Sequence, residues 1–166
     1  MSAVDNFKRI QASASHEVGA AIKLFVIEDD EVDLMGIKRA LRDLRITNEV
    51  VHARDGVEGL DILRGANGHD PLEGPFIILL DLNMPRMDGI EFLKEIRADE
   101  TLKSAIVFVL TTSETDQDII DAYSHNVAGY IVKSDAKEGF REAINLLDLY
   151  WTIVSYQTPP DGSGSI

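Results

Sequence analysis

The chain has 166 residues, with 29 Asp and Glu against 16 Lys and Arg, a formal charge of −13. That length suits one domain with a sizeable core. The charge opposes docking on duplex nucleic acid or an anionic membrane face, and the lack of cysteine removes disulfides, thiolate metal sites and a thiol nucleophile. No stretch nears the ~18 apolar residues of a membrane helix. Met1–Ala14 has no apolar core of signal-peptide type, so a cytoplasmic protein is expected.

Residues 1–20 are weakly periodic and read as an N-terminal arm, loose or with a short helix. Residues 21–156 read as the folded domain, and 157–166, rich in Pro, Gly and Ser, as a flexible tail. Within the domain five short apolar runs alternate with stretches of helical period. The runs are Lys23–Glu28, Glu49–Arg54, Phe76–Leu82, Ala105–Thr111 and Gly129–Lys133. Leu34, Ile37, Leu41 and Leu44 follow the first at helical spacing, and Val57, Leu60 and Leu63 follow the second. The stretch 64–75 reads as a surface loop. Asp88 with Glu91 forms a capping box ahead of Phe92 and Ile96. Thr115 caps a helix carrying Ile119, Ile120 and Tyr123, and Asp135 with Glu138 makes an acidic capping box before Phe140, Ile144 and Leu147. Five strand–helix units in a row predict an α/β fold, a parallel sheet covered on both faces. In such a sheet the ligand lies beyond the strand C-termini.

The polar residues at those ends form an unusual set. Strand one ends in Glu28, Asp29 and Asp30, strand three in Asp81, strand four in Thr111, Thr112 and Ser113, and strand five in Lys133. Singly, each is an ordinary turn, cap or surface residue. Together they crowd charge: two carboxylates about 4 Å apart repel by ~4 kcal/mol at an effective dielectric near 20. Protonation or a cation relieves this. Oxygen-only donors favour a hard ion, and Mg²⁺ suits a site of one or two carboxylates that also meets phosphate. A carboxylate beside Mg²⁺ and Lys is a candidate nucleophile towards phosphorus, with a Thr hydroxyl to donate a hydrogen bond. No Gly-rich phosphate loop follows the first strand. The four histidines, His16, His52, His69 and His125, fall in unrelated segments.

At these residues the chain resembles a known family. Val26-Ile-Glu-Asp-Asp30, Leu80-Asp-Leu-Asn-Met-Pro-Arg-Met-Asp-Gly89, Leu110-Thr-Thr112 and Gly129-Tyr-Ile-Val-Lys133 look like the signature blocks of the bacterial response-regulator receiver domain. The resemblance spans about residues 22–150. It implies a (βα)5 doubly wound, flavodoxin-like fold with strand order 2-1-3-4-5. It also implies that Asp81 is the phosphoacceptor and that Mg²⁺ is held by Asp29, Glu28 through water, Asp81 and the Asn83 carbonyl. Thr111 and Lys133 would meet the phosphoryl group, and Thr111 with Tyr130 would form the switch. The donor would be a phosphohistidine on a sensor histidine kinase. The blocks Asn83-Met-Pro-Arg86 and Leu110-Thr-Thr-Ser113 are similar to those of single-domain regulators that partner bacterial phytochromes. The protein would then be a phosphoacceptor signalling domain rather than an enzyme, one that assists its own phosphotransfer and dephosphorylation.

Lys133 departs from the family in being followed by Ser134 instead of proline, so a trans peptide is expected there. The last predicted helix is apolar nearly all round, which implies burial on two sides. One face covers the sheet. Leu146, Leu149, Tyr150 and Ile153, with Trp151, suit a homodimer interface; a monomer whose N-terminal arm covers that face is the alternative. Two rival functions stand beside the main one. A docking-only module should lack an acid, the Thr or the Lys. A Mg²⁺-dependent phosphohydrolase should carry a second acid two residues after the nucleophile, where Asn83 stands.

Overall fold

The computed structural model describes residues 22–43, 45–112 and 116–133. Strand β1 (Lys23–Ile27) is followed by α1 (Glu31–Asp43), β2 (Val50–Ala53) by α2 (Gly56–Arg64), β3 (Phe76–Leu80) by α3 (Gly89–Ala98), and β4 (Ile106–Thr111) by α4 (Asp116–Ser124) and β5 (Gly129–Val132). All neighbouring strands are parallel, in the order β2-β1-β3-β4-β5. This is the doubly wound α/β fold expected from the alternation of runs.

The period of two along each strand divides the core between the two sheet faces. Phe25, Ile27, Ile78, Leu80, Val107 and Val109 face α2 and α3, where Leu60, Phe92, Leu93 and Ile96 meet them. Leu24, Val26, Ile77, Leu79 and Leu110 face α1, where Leu34, Ile37 and Leu41 cover them. Because both faces are buried, these strands are apolar throughout rather than alternating.

Helix ends follow the local chemistry. Asp30 caps α1 by accepting from the amides of Val32 (2.8 Å) and Asp33 (3.0 Å). Asp55 caps α2 through the Glu58 amide, and Gly65 closes it with φ 63°, a left-handed residue where glycine carries no penalty. Asp88 and Glu91 form the expected capping box at α3. The Arg97 guanidinium ties the end of α3 to four backbone carbonyls, those of Lys103, Ala105, His125 and Asn126. Helix α4 differs from expectation. Ala122 is its buried contact, while Ile120 and Tyr123 are 61% and 52% exposed. Ala122 belongs to the core cluster on the α2–α3 face, and the two large residues lie off that stripe. Leu44, the Thr115 cap, the last predicted helix, the N-terminal arm, the tail and the Lys133–Ser134 peptide lie outside the described residues.

Gly36 lies in the middle of α1 with open space where a Cβ would go. A mid-helix glycine costs about 0.5–1 kcal/mol relative to alanine. Gly36→Ala should therefore raise the melting temperature by about 1–4 °C. Thermal unfolding followed by circular dichroism checks this; an unchanged or lower midpoint would contradict it.

Candidate functional site

The parallel register gathers the strand ends. Ile27 lies beside Leu80, and Leu80 beside Val109, so Glu28 and Asp81 leave the sheet side by side. Thr111 lies beside Val132, and Lys133 follows at once. Two strands stop where a carboxylate captures the amide two residues on. Glu28 Oε1 accepts from Asp30 at 3.1 Å and Asp81 Oδ1 from Asn83 at 3.1 Å. These local bonds replace the next rungs of the ladder.

One oxygen from each of Glu28, Asp29 and Asp81 lies within 4.8 Å of the others. Glu28 is 1% exposed and Asp81 7%, while Asp29 and Asn83 are exposed. Lys133 reaches into this group. Its ammonium pairs with Glu28, with Asp33 Oδ2 at 2.8 Å and with Asp81 Oδ2 at 3.3 Å, so all three N–H donors meet carboxylates. Burial pushes Glu28 up to about 7; the Lys133 hydrogen bond opposes this and the Asp81 charge adds to it. Burial pulls on the Lys133 ammonium in the other direction. Hydrogen bonds to Asp33 and Glu28, with the charges of Asp81 and Glu28, nevertheless hold it above the ordinary lysine range.

One ammonium against four acids leaves excess negative charge, which adds to the effect of burial in holding the Glu28 proton near neutrality. Carboxylate oxygens this close, with none of the soft ligands, fit a hard divalent cation. Asn83 lies at the edge of the cluster. Tyr130 is half-buried on β5 and packs against the core on the α2–α3 face. Thr111 ends β4; its side chain is outside what is described.

Three contributors escaped the sequence reading. Asp33 supplies an acid to Lys133, and its signal was present: it follows Asp29 by one helical turn at the start of α1. His52 Nε2 lies 2.7 Å from the Glu28 carbonyl and steadies the peptide before Asp29. Arg86 pairs with the buried Asp55 at 3.2 Å, a contact between residues distant in sequence that no local pattern announces.

Comparison with known proteins agrees with the geometry. Residues 24–145 match the family model described as the response regulator receiver domain. Over 128 residues the chain is 36% identical to the probable methanogenesis regulatory protein FilR2 of Methanothrix harundinacea, covering 77% of this chain and 82% of that one. It is 31% identical to the response regulator Rcp1 of Synechocystis sp., again over 128 residues, 77% of this chain and 87% of Rcp1. The crystal structure of the Mn²⁺-bound form of Rcp1 superimposes with a TM-score of 0.71, covering 84% of this chain and 99% of that one at 30% identity. That of the phosphorylated cyanobacterial phytochrome response regulator RcpA gives 0.73, with 37% identity over 86% of this chain and 100% of that one. A fold of five parallel strands in this order, an acid pocket at their C-terminal edge and a family match over most of the chain lead to one conclusion: the chain belongs to the response regulator receiver domains, the phosphoaccepting signalling domains of two-component systems.

Proposed function

We propose that this protein is a single-domain response regulator that accepts a phosphoryl group from a sensor histidine kinase onto Asp81 in a Mg²⁺-dependent reaction. The observation that carries this reading is the placement of Asp81. Its carboxylate sits within 4.8 Å of oxygens of Glu28 and Asp29 and beside Lys133. A carboxylate oxygen of Asp81 attacks phosphorus, and the P–N bond of the phosphohistidine breaks. The imidazole leaves with the electron pair and takes up a proton. Mg²⁺ would be held by Asp29, Asp81 and the Asn83 carbonyl, with Glu28 through water, and it supplies positive charge to the transferring oxygens. Lys133 adds a second cation there, and Thr111 donates a hydrogen bond to the acyl phosphate.

The signal follows from the same contacts. Once Lys133 and Thr111 engage the phosphoryl oxygens, Tyr130 turns inward, and the face around α4, β5 and the last predicted helix shifts between two states. The protein itself turns over no phosphoester. It works in the cytoplasm as one domain, 21–156, between an arm and a tail. It pairs with a second copy through Leu146, Leu149, Tyr150, Trp151 and Ile153, and sedimentation at micromolar concentration that finds only an 18.4 kDa species would reject that pairing. The likeness to RcpA, a phytochrome response regulator, supports a phytochrome kinase as donor.

The deciding experiment uses a labelled small acyl-phosphate donor with Mg²⁺. The protein should take up base-labile label, and Asp81→Asn should take up none. Label retained by that variant would reject the site, and repeated turnover of a phosphoester would favour a hydrolase instead.

A further inference from the structure

We propose that Arg86 is a positioning residue for the acid pocket: paired with Asp55, it latches the loop after Asp81 onto the start of α2 and so fixes the Asn83 peptide beside the metal-binding carboxylates. This rests on the phosphoacceptor reading and explains a part of the pocket that reading leaves open.

The backbone supplies the first observation. Arg86 has φ +67°, and the Met87 amide donates back to the Pro85 carbonyl at 2.8 Å. A three-residue turn with positive φ at its centre is the rare, strained form of the γ-turn. A non-glycine residue persists there only when its surroundings hold it. Two adjacent contacts do so. Arg86 Nε lies 3.2 Å from Asp55 Oδ2. Met87 packs over Gly56, where an added Cβ would come within 2.8 Å of its Cγ. Consecutive loop residues thus meet the N-cap of α2 and its first residue.

Asp55 is suited to this because it divides its carboxylate. Oδ1 accepts the Glu58 amide at 2.9 Å and caps the helix, while Oδ2 takes the guanidinium. The base of the loop is fixed separately, by the Gly89 amide on the Leu82 carbonyl at 2.9 Å. Asn83 lies between these anchors, its amide on Asp81 Oδ1 and its carbonyl in the expected metal shell. Without the latch the left-handed turn relaxes, and the Asn83 peptide moves with it.

The test uses the full-length protein, with Mn²⁺ binding followed by electron paramagnetic resonance well below the melting temperature. Asp55→Asn keeps a helix cap and loses the charge; Arg86→Ala loses the guanidinium. Each should weaken Mn²⁺ binding about tenfold, as contacts that orient metal ligands commonly do. The double variant should lose no more than either alone, since both break one link. Arg86→Gly accepts the turn without strain, so it should melt at or above Arg86→Ala and still show the same loss of affinity. Wild-type affinity in both single variants, or losses that multiply in the double variant, would overturn the latch. Should the wild-type protein bind no Mn²⁺, the phosphoacceptor reading falls instead. The latch is then decided by hydrogen exchange of the Asn83 amide in metal-free protein: faster exchange in both variants supports it, and unchanged exchange overturns it.

Discussion

Glu28→Gln is expected to stabilise the metal-free protein by about 3 kcal/mol at pH 8, at 1.36 kcal/mol per pKa unit. The folded protein holds the Glu28 proton up to about 7, whereas the ordinary value is 4.5. Between those values the folded state binds more protons than the unfolded chain. Stability therefore falls as pH rises through that window, and the full cost is in place above about 7. Glutamine copies the protonated acid, so the variant escapes the cost, and the two proteins converge as pH drops towards 4.5. Urea unfolding at pH 5 and pH 8 in a chelating buffer checks this, and parallel curves for the two proteins would contradict it. The same proton competes with metal. Below about 7, Mg²⁺ must displace it, so Mg²⁺ affinity should weaken by up to tenfold per pH unit as pH falls. In the Gln variant that added pH dependence disappears together with much of the affinity.

How much of this pocket could be read from sequence depends on which atoms carry it. Five apolar runs, with polar residues at their C-terminal ends, indicate the sheet and the edge where the chemistry lies. Glu28 and Asp81 were readable as strand-end acids. That they leave the sheet side by side is set by the β1–β3 register, which spacing alone does not contain; the family resemblance supplied that step. Expected strands overran the observed ones at Glu28 and at Asp81–Leu82 because those carboxylates turn to bind amides two residues on. Arg97 illustrates what sequence cannot show. Its four acceptors are all backbone carbonyls, and a carbonyl looks the same under every side chain. In α4 the apolar pattern misled. Ile120 and Tyr123 have the character of core residues, but the helix face that carries Ala122 is the one that meets the core.

Gly89→Ala should be the most damaging small substitution in the described structure, with a loss of about 3 kcal/mol or more and a fall in melting temperature of roughly 6–12 °C. Gly89 opens α3 just after its Asp88 cap. A Cβ there would lie 2.5 Å from the Asp81 carbonyl oxygen and 2.7 Å from the Leu82 Cα. Both are backbone atoms, so no rotamer change relieves the clash. Either α3 lifts from the sheet or the Asp81–Leu82 peptide rotates. The first exposes Phe92, Leu93 and Ile96, each fully buried; the second breaks the Gly89–Leu82 hydrogen bond and displaces the carboxylate that the pocket is built around. The added methyl group is the same as in Gly36→Ala, where open space makes the expected sign opposite, so the pair separates steric exclusion from helix propensity. Melting curves of the two variants decide the matter: a Gly89→Ala protein that melts within 2 °C of wild type, on the scale just given, would show that the α3 junction yields far more readily than its contacts imply.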